Sequence, residues 1–187
     1  MIVVPYTIAG MLGATGATMD SFVEEMLELQ KAIIPEHNPK KTKAGLDLVS
    51  LAASAEAYKG MRTIGVIRLV LQKYAGVDRP SLVLACINDA RNLKGHRGAK
   101  SLDDVLDEYS LSRNSPRAAY LMVLARLLVF LRAFAAATEA ALDIELVIDG
   151  RPLEDDPWQQ MEPAVRYLIE CVRRLDPPPP SPLSGLV

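Results

Sequence analysis

The densest set of chemically capable side chains is the stretch Leu93–Ser101, LKGHRGAKS, which holds Lys94, His96, Arg97 and Lys100 with two glycines. Cations beside open backbone, just ahead of an expected helix start, suit an anion, because helix N-terminal amides and the helix dipole favour negative charge. Asp103 and Asp104 stand in the first turn of that helix and answer part of the same field. A second basic group, Lys40, Lys41 and Lys43, lies in PEHNPKKTKAG, followed by Lys59, Arg62, Arg68 and Lys73. If these elements converge they form a basic face, and clustered Lys/Arg is rewarded by counterion release at a polyanion. Only Tyr58 and Tyr74 interleave rings there, so base stacking is not supported. The expected contact is with a nucleic-acid backbone or with anionic lipid heads. The candidate anion-binding residues are Lys40, Lys41, Lys43, Lys59, Arg62, Lys94, Arg97 and Lys100. The plainer reading is that these charges only solvate helix faces.

Other reactive types are scattered. His37 and His96 both sit in basic loops, and Cys86 and Cys171 stand alone on apolar helix faces. Metal sites need several His, Cys or carboxylate ligands at close spacing, and a cysteine nucleophile needs a neighbouring histidine with an orienting group. Gly10, Gly13 and Gly16 recur at threes but lack the lysine of a phosphate loop. Glu154, Asp155 and Asp156 read as caps of the following helix rather than general acids. The expectation is a non-enzymatic protein with no metal, no cofactor and no small-molecule substrate. Two unpaired thiols suit a reducing, intracellular compartment. The tail DPPPPSPLSGLV offers P-x-x-P twice, making Pro177, Pro180 and Pro182 candidates for docking in an aromatic groove, unless they form only a solvated end.

The elements that must carry these residues are mostly helical. Residues 1–17 form an uncharged arm whose first eight residues, rich in β-branched types, read as a strand or extended segment. The arm lacks the basic start of a signal peptide, and it is too broken by Pro and Gly for a membrane span. A helix is expected from Thr18 to Ile34, with Phe22, Met26, Leu29 and Ile33 on one stripe and Thr18, Asp20 or Ser21 as its cap. Further helices are expected over Lys43–Tyr58, Met61–Tyr74, Pro80–Asn92 and Ser101–Tyr109, the last with a Ser101/Asp104 capping box. Ser115 and Pro116 open a long helix to about residue 141 that is apolar on all sides, as a central buried helix is. Arg117, Arg126, Arg132 and Glu139 argue against its crossing a membrane. Val147-Ile148-Asp149-Gly150 carries a hairpin signal, and the alternative partner for the strand is the N-terminal arm. A last helix starts at Asp156 or Pro163 and reaches Leu175.

The chain has 187 residues, 50% hydrophobic and 5% aromatic, with net charge −2. This excludes a disordered chain and a disulfide scaffold, and favours helix over sheet. The expected fold is all-α for the most part: a multi-helix domain over 18–176 packed around the 116–141 helix, with a division into subdomains 18–112 and 113–176 as the alternative. Minor β structure is expected at the arm or at 144–149, and a proline-rich tail follows over 177–187. The small net charge conceals blocks: −4 over 1–30, +8 over 31–101, −4 over 102–112, +4 over 113–132 and −6 over 133–187. Alternating blocks can pair within one subunit or between subunits. The leading expectation is therefore a structural protein that self-associates as a homo-oligomer and binds an anionic polymer or surface. A viral matrix, coat or nucleocapsid subunit has this general character, which is a likeness of class alone. The alternative is an intracellular helical adaptor whose partners engage the proline tail or an apolar groove.

Overall fold

The computed structural model describes residues 18–33, 40, 42–43, 46, 48–93, 100–143, 147–148, 151–152 and 157–177. Helix α1, Met19–Ile33, begins where Thr18 caps it. The Ser21 amide donates to Thr18 Oγ1 at 3.2 Å, and the Thr18 amide donates back to Ser21 Oγ at 3.0 Å. Of the three possible caps Thr18 takes the role, with Ser21 as its reciprocal partner. Phe22, Met26 and Leu29 are fully buried, as their spacing requires.

The helix expected over Lys43–Tyr58 is not continuous. A 3-10 turn covers Val49–Leu51, the chain then extends, and Ser54 caps a new short helix α2, Ala55–Gly60, by accepting the Ala57 amide at 3.0 Å. Serines at 50 and 54 compete with the helical backbone for its hydrogen bonds, and here the cap prevails over alanine propensity. Helix α3, Thr63–Tyr74, ends at Gly76, whose φ of +66° lets Val77 reach back to the Leu71 carbonyl. Pro80 opens a 3-10 turn, Arg79–Ser81, that leads into α4, Leu82–Asn92.

Helix α5, Leu102–Glu108, carries the expected capping box: Ser101 Oγ accepts the Asp104 amide at 3.1 Å, and Asp104 accepts the Ser101 amide at 2.8 Å. Ser110, at φ 50°, makes the left-handed turn out of α5. Ser115 then caps α6, Pro116–Leu142, with Pro116 at its first position. Val147–Ile148 (β1) pairs antiparallel with Arg151–Pro152 (β2) in a two-residue hairpin, so the Asp149-Gly150 turn signal decides the pairing. Helix α7, Pro157–Leu175, runs straight through Pro163, forgoing the one hydrogen bond that proline cannot donate.

The fold is all-α, with α6 at its centre. Helix α7 packs along α6, α3 lies against it, and α1 packs on α4 while both also reach α6. Tyr120, Phe130, Leu124 and Leu127 of α6 meet Phe22, Leu71, Leu84 and Leu106 in one core. Each such side chain contributes about 1.5–3 kcal/mol by leaving water. Burial along α6 is uneven. Ala118–Leu121, Val123–Ala125, Leu127 and Phe130 are buried, but beyond them only Ala135 and Ala137 are. Val129, Arg132, Ala136 and Ala140, spaced three or four apart, share one exposed face. Among the described residues α6 is the one helix long and apolar enough to cross a membrane, and it packs against four other helices.

Candidate functional site

The described basic residues differ in their surroundings. Lys43 turns inward: its ammonium donates to the carbonyls of Lys59 at 3.1 Å and Met61 at 2.6 Å, and lies 5.3 Å from the Tyr58 ring. It thus closes the C-terminal end of α2, where orphan carbonyls favour a cation. Lys59 and Arg62 flank that closure and are exposed, and Lys40 is exposed as well. Lys100 is held elsewhere, between Asp89 of α4 at 3.0 Å and Glu108 of α5. The hydrogen bonds to Glu108 and then Asp89 raise its pKa. Arg68 pairs with Asp78 at 2.6 Å, and Lys73 sits 5.3 Å from the Tyr74 ring. Lys41, Lys94 and Arg97 lie outside the described residues, as do Pro180 and Pro182; Pro177 is exposed just past α7. The structure therefore places Lys43, Lys59 and Arg62 at one corner and Lys100 in a separate ion-pair network.

That network borders a feature that sequence reasoning did not locate. Between α4 and α7, with α6 as its floor, runs an apolar groove of about 590 Å³. Leu82 and Val83 of α4, Met122 and Val129 of α6, and Val165 and Ile169 of α7 supply its walls. Leu82 and Val129 remain 52% and 46% exposed, high for large apolar side chains that line one channel. The spacing is helical on every wall: 122, 126 and 129 on α6, 165 and 169 on α7, 82 and 86 on α4.

Among the described residues three charged groups interrupt the apolar lining. Arg126 projects from α6 and donates to the backbone carbonyls of Tyr109 and Ser110, closing the C-terminal end of α5. Desolvation lowers its pKa, yet a guanidinium stays charged throughout the ordinary pH range. No carboxylate pairs with it among the described residues. Arg79, at the rim, is likewise without an ion pair there. Glu108 also lines the groove, but the Lys100 ammonium engages it.

Tyr109 links the two sites. Its hydroxyl donates to Asp89 at 3.0 Å while its carbonyl receives Arg126. Burial and that hydrogen bond raise its pKa. Cys86, on the α4 wall, is 2% exposed and burial pushes its thiol up to about 12, so it is a neutral apolar surface here and not a nucleophile. Cys171 lies apart on α7. Among the described residues no group of three His, Cys, Asp or Glu side chains is placed to hold a metal, and His37 and His96 fall outside them. The signal for the groove in the sequence was Arg126 itself, a lone cation within an apolar helix. That residue bears on membrane crossing, but its spacing from α5 carries no hint of a clamp. In comparisons with known proteins, no family model, no curated protein and no solved structure matches the chain.

Proposed function

We propose that the protein is a non-enzymatic structural protein whose copies associate through the second half of α6. One observation carries this reading: a long apolar helix leaves Ala136 and Ala140 exposed beside Arg132 along one face, and Leu142 56% exposed at its end. A helix of that composition is stable in water only when its sides are covered. Small side chains let a second helix approach closely. The subunit of a matrix, coat or nucleocapsid shell, working in a reducing compartment, has this design.

Its contact with an anionic polymer or surface is supported by Lys59 and Arg62, which are exposed side by side at the end of α2, whereas Lys43 and Lys100 are engaged within the chain. Light scattering on the purified chain, with and without nucleic acid or anionic vesicles at low salt, tests both parts. A concentration-dependent rise in mass is expected, and Ala136→Glu lowers it. A chain that stays monomeric at high concentration and binds neither polyanion ends this reading. The adaptor reading keeps one specific support, the groove between α4 and α7. In that case removal of residues 177–187 or closure of the groove abolishes partner binding and leaves the mass unchanged.

A further inference from the structure

We propose that the groove between α4, α6 and α7 is a binding site for a single-chain carboxylate amphiphile, its hydrocarbon along the apolar walls and its carboxylate on Arg126. The proposal goes beyond self-association and does not depend on it. The walls are chemically suited to hydrocarbon: Leu82, Met122, Val129, Val165 and Ile169 face the channel, and each methylene that leaves water there gains free energy. A volume of about 590 Å³ is that of a small-molecule cleft, and clefts between packed helices are common places for such sites.

Charge then selects the head group. Arg126 is a partly buried cation whose partners among the described residues are two neutral carbonyls, and a desolvated charge of this kind gains most from a counter-ion. The planar guanidinium carries five N–H donors, and a carboxylate can take two of them side by side. Arg79 at the rim adds a second positive charge. The one acid on the lining, Glu108, is engaged by Lys100, so it does not neutralise Arg126. An uncharged chain would leave Arg126 as it is, and a cationic head would be repelled. The buried Cys86 contributes only apolar surface, since its thiol stays protonated.

The test uses the full chain and hexadecanoate below its aggregation concentration, with hexadecanol and hexadecylamine as controls of equal length. Saturable binding at one site is expected, with hexadecanoate at least tenfold tighter than hexadecanol and the amine weakest. Arg126→Met is expected to erase the tenfold preference while hexadecanol binding persists. Ile169→Trp, which fills the channel from α7, weakens all three ligands and leaves Arg126 in place. If Arg126→Met does not fold, as circular dichroism will show, the contrast among the three head groups on the unaltered chain still decides. Equal affinity for acid and alcohol, or no saturable binding, overturns the proposal. So does an acidic amphipathic peptide that occupies the groove when hexadecanoate does not, which assigns the channel to a protein partner. Ala136→Glu, outside the groove, separates the two readings: it changes the mass and leaves hexadecanoate binding unchanged.

Discussion

Between Ala118 and Leu127 the helix α6 buries every side chain but Met122 and Arg126, whereas between Leu131 and Leu142 only Ala135 and Ala137 are buried, although LRAFAAATEAAL is scarcely more polar. Side-chain size separates the two halves. Tyr120, Leu121, Leu124 and Leu127 reach out and fill space against neighbouring helices, so their cost of removal is a packing cost. Ala136 and Ala140 reach nowhere and leave a flat strip. The Phe130–Phe134 stack, with ring centroids 5.6 Å apart, marks the passage from one regime to the other. Apolar composition thus serves two purposes along one helix: it fixes the core in the first half and offers a surface in the second.

Substitutions at matched positions can break or sharpen this contrast. Leu124→Ala is expected to lower stability by about 2–5 kcal/mol in urea denaturation, the cost of a cavity in a closed core. A loss below about 1 kcal/mol would show that the first half of α6 is not packed as described. Arg126→Met, at the groove wall, is expected to cost about 1–2 kcal/mol, since the carbonyls of Tyr109 and Ser110 lose a charged donor that is partly screened by solvent. Ser101→Ala removes the α5 cap for about 1 kcal/mol at neutral pH.

The hydrogen bonds from Ser101 hold the Asp104 carboxyl below its ordinary 3.8. A depressed carboxylate stabilises the fold above its unfolded value and loses that contribution as pH falls through the folded one. The Ser101→Ala deficit is therefore expected to shrink as the solution is acidified below 3.8, as thermal melts across that range would reveal. Cys86 gives a chemical readout of the same core. Its thiol, raised from 9.0 to about 12, stabilises the fold while protonated and ceases to as pH climbs through that interval. With a thiol reagent at pH 8, one fast equivalent is expected from Cys171 and a second only on unfolding. Two fast equivalents would mean that the α4 wall is open. The smallest effect on stability, within about 0.5 kcal/mol, is expected for Ala136→Glu on the exposed strip. A larger loss there would remove the distinction between the halves.

Much of the fold was legible because its signals are local. The stripe Phe22, Met26 and Leu29, the Ser101/Asp104 box, the Ser115-Pro116 start and the Asp149-Gly150 turn each act within a few residues, and each element appears where those residues place it. The Lys43–Tyr58 helix failed because Ser54 offered the backbone a better local bond than alanine propensity could. The role of Lys43 was less legible for a different reason. Charge counts ignore what a long side chain meets after folding, and Lys43 meets carbonyls from residues 16 and 18 positions away. The groove is a property of three helices together, so no single window of sequence contains it.

Arg126 reaches only 17 residues back along the chain to Tyr109, and the Asp107–Arg113 pair spans six. The caps at Ser101 and Ser115 are equally local, whereas the core side chains of the same stretch meet α1, α3 and α4, far away along the chain. Loops of that length close at little entropic cost, so these fastenings can form before the distant α1 and α7 arrive. In kinetic terms the guanidinium is an early fastener. Amides of α5 and of the start of α6 should gain protection first in pulse-labelled refolding, and α7 should be the last helix to join and the first to leave.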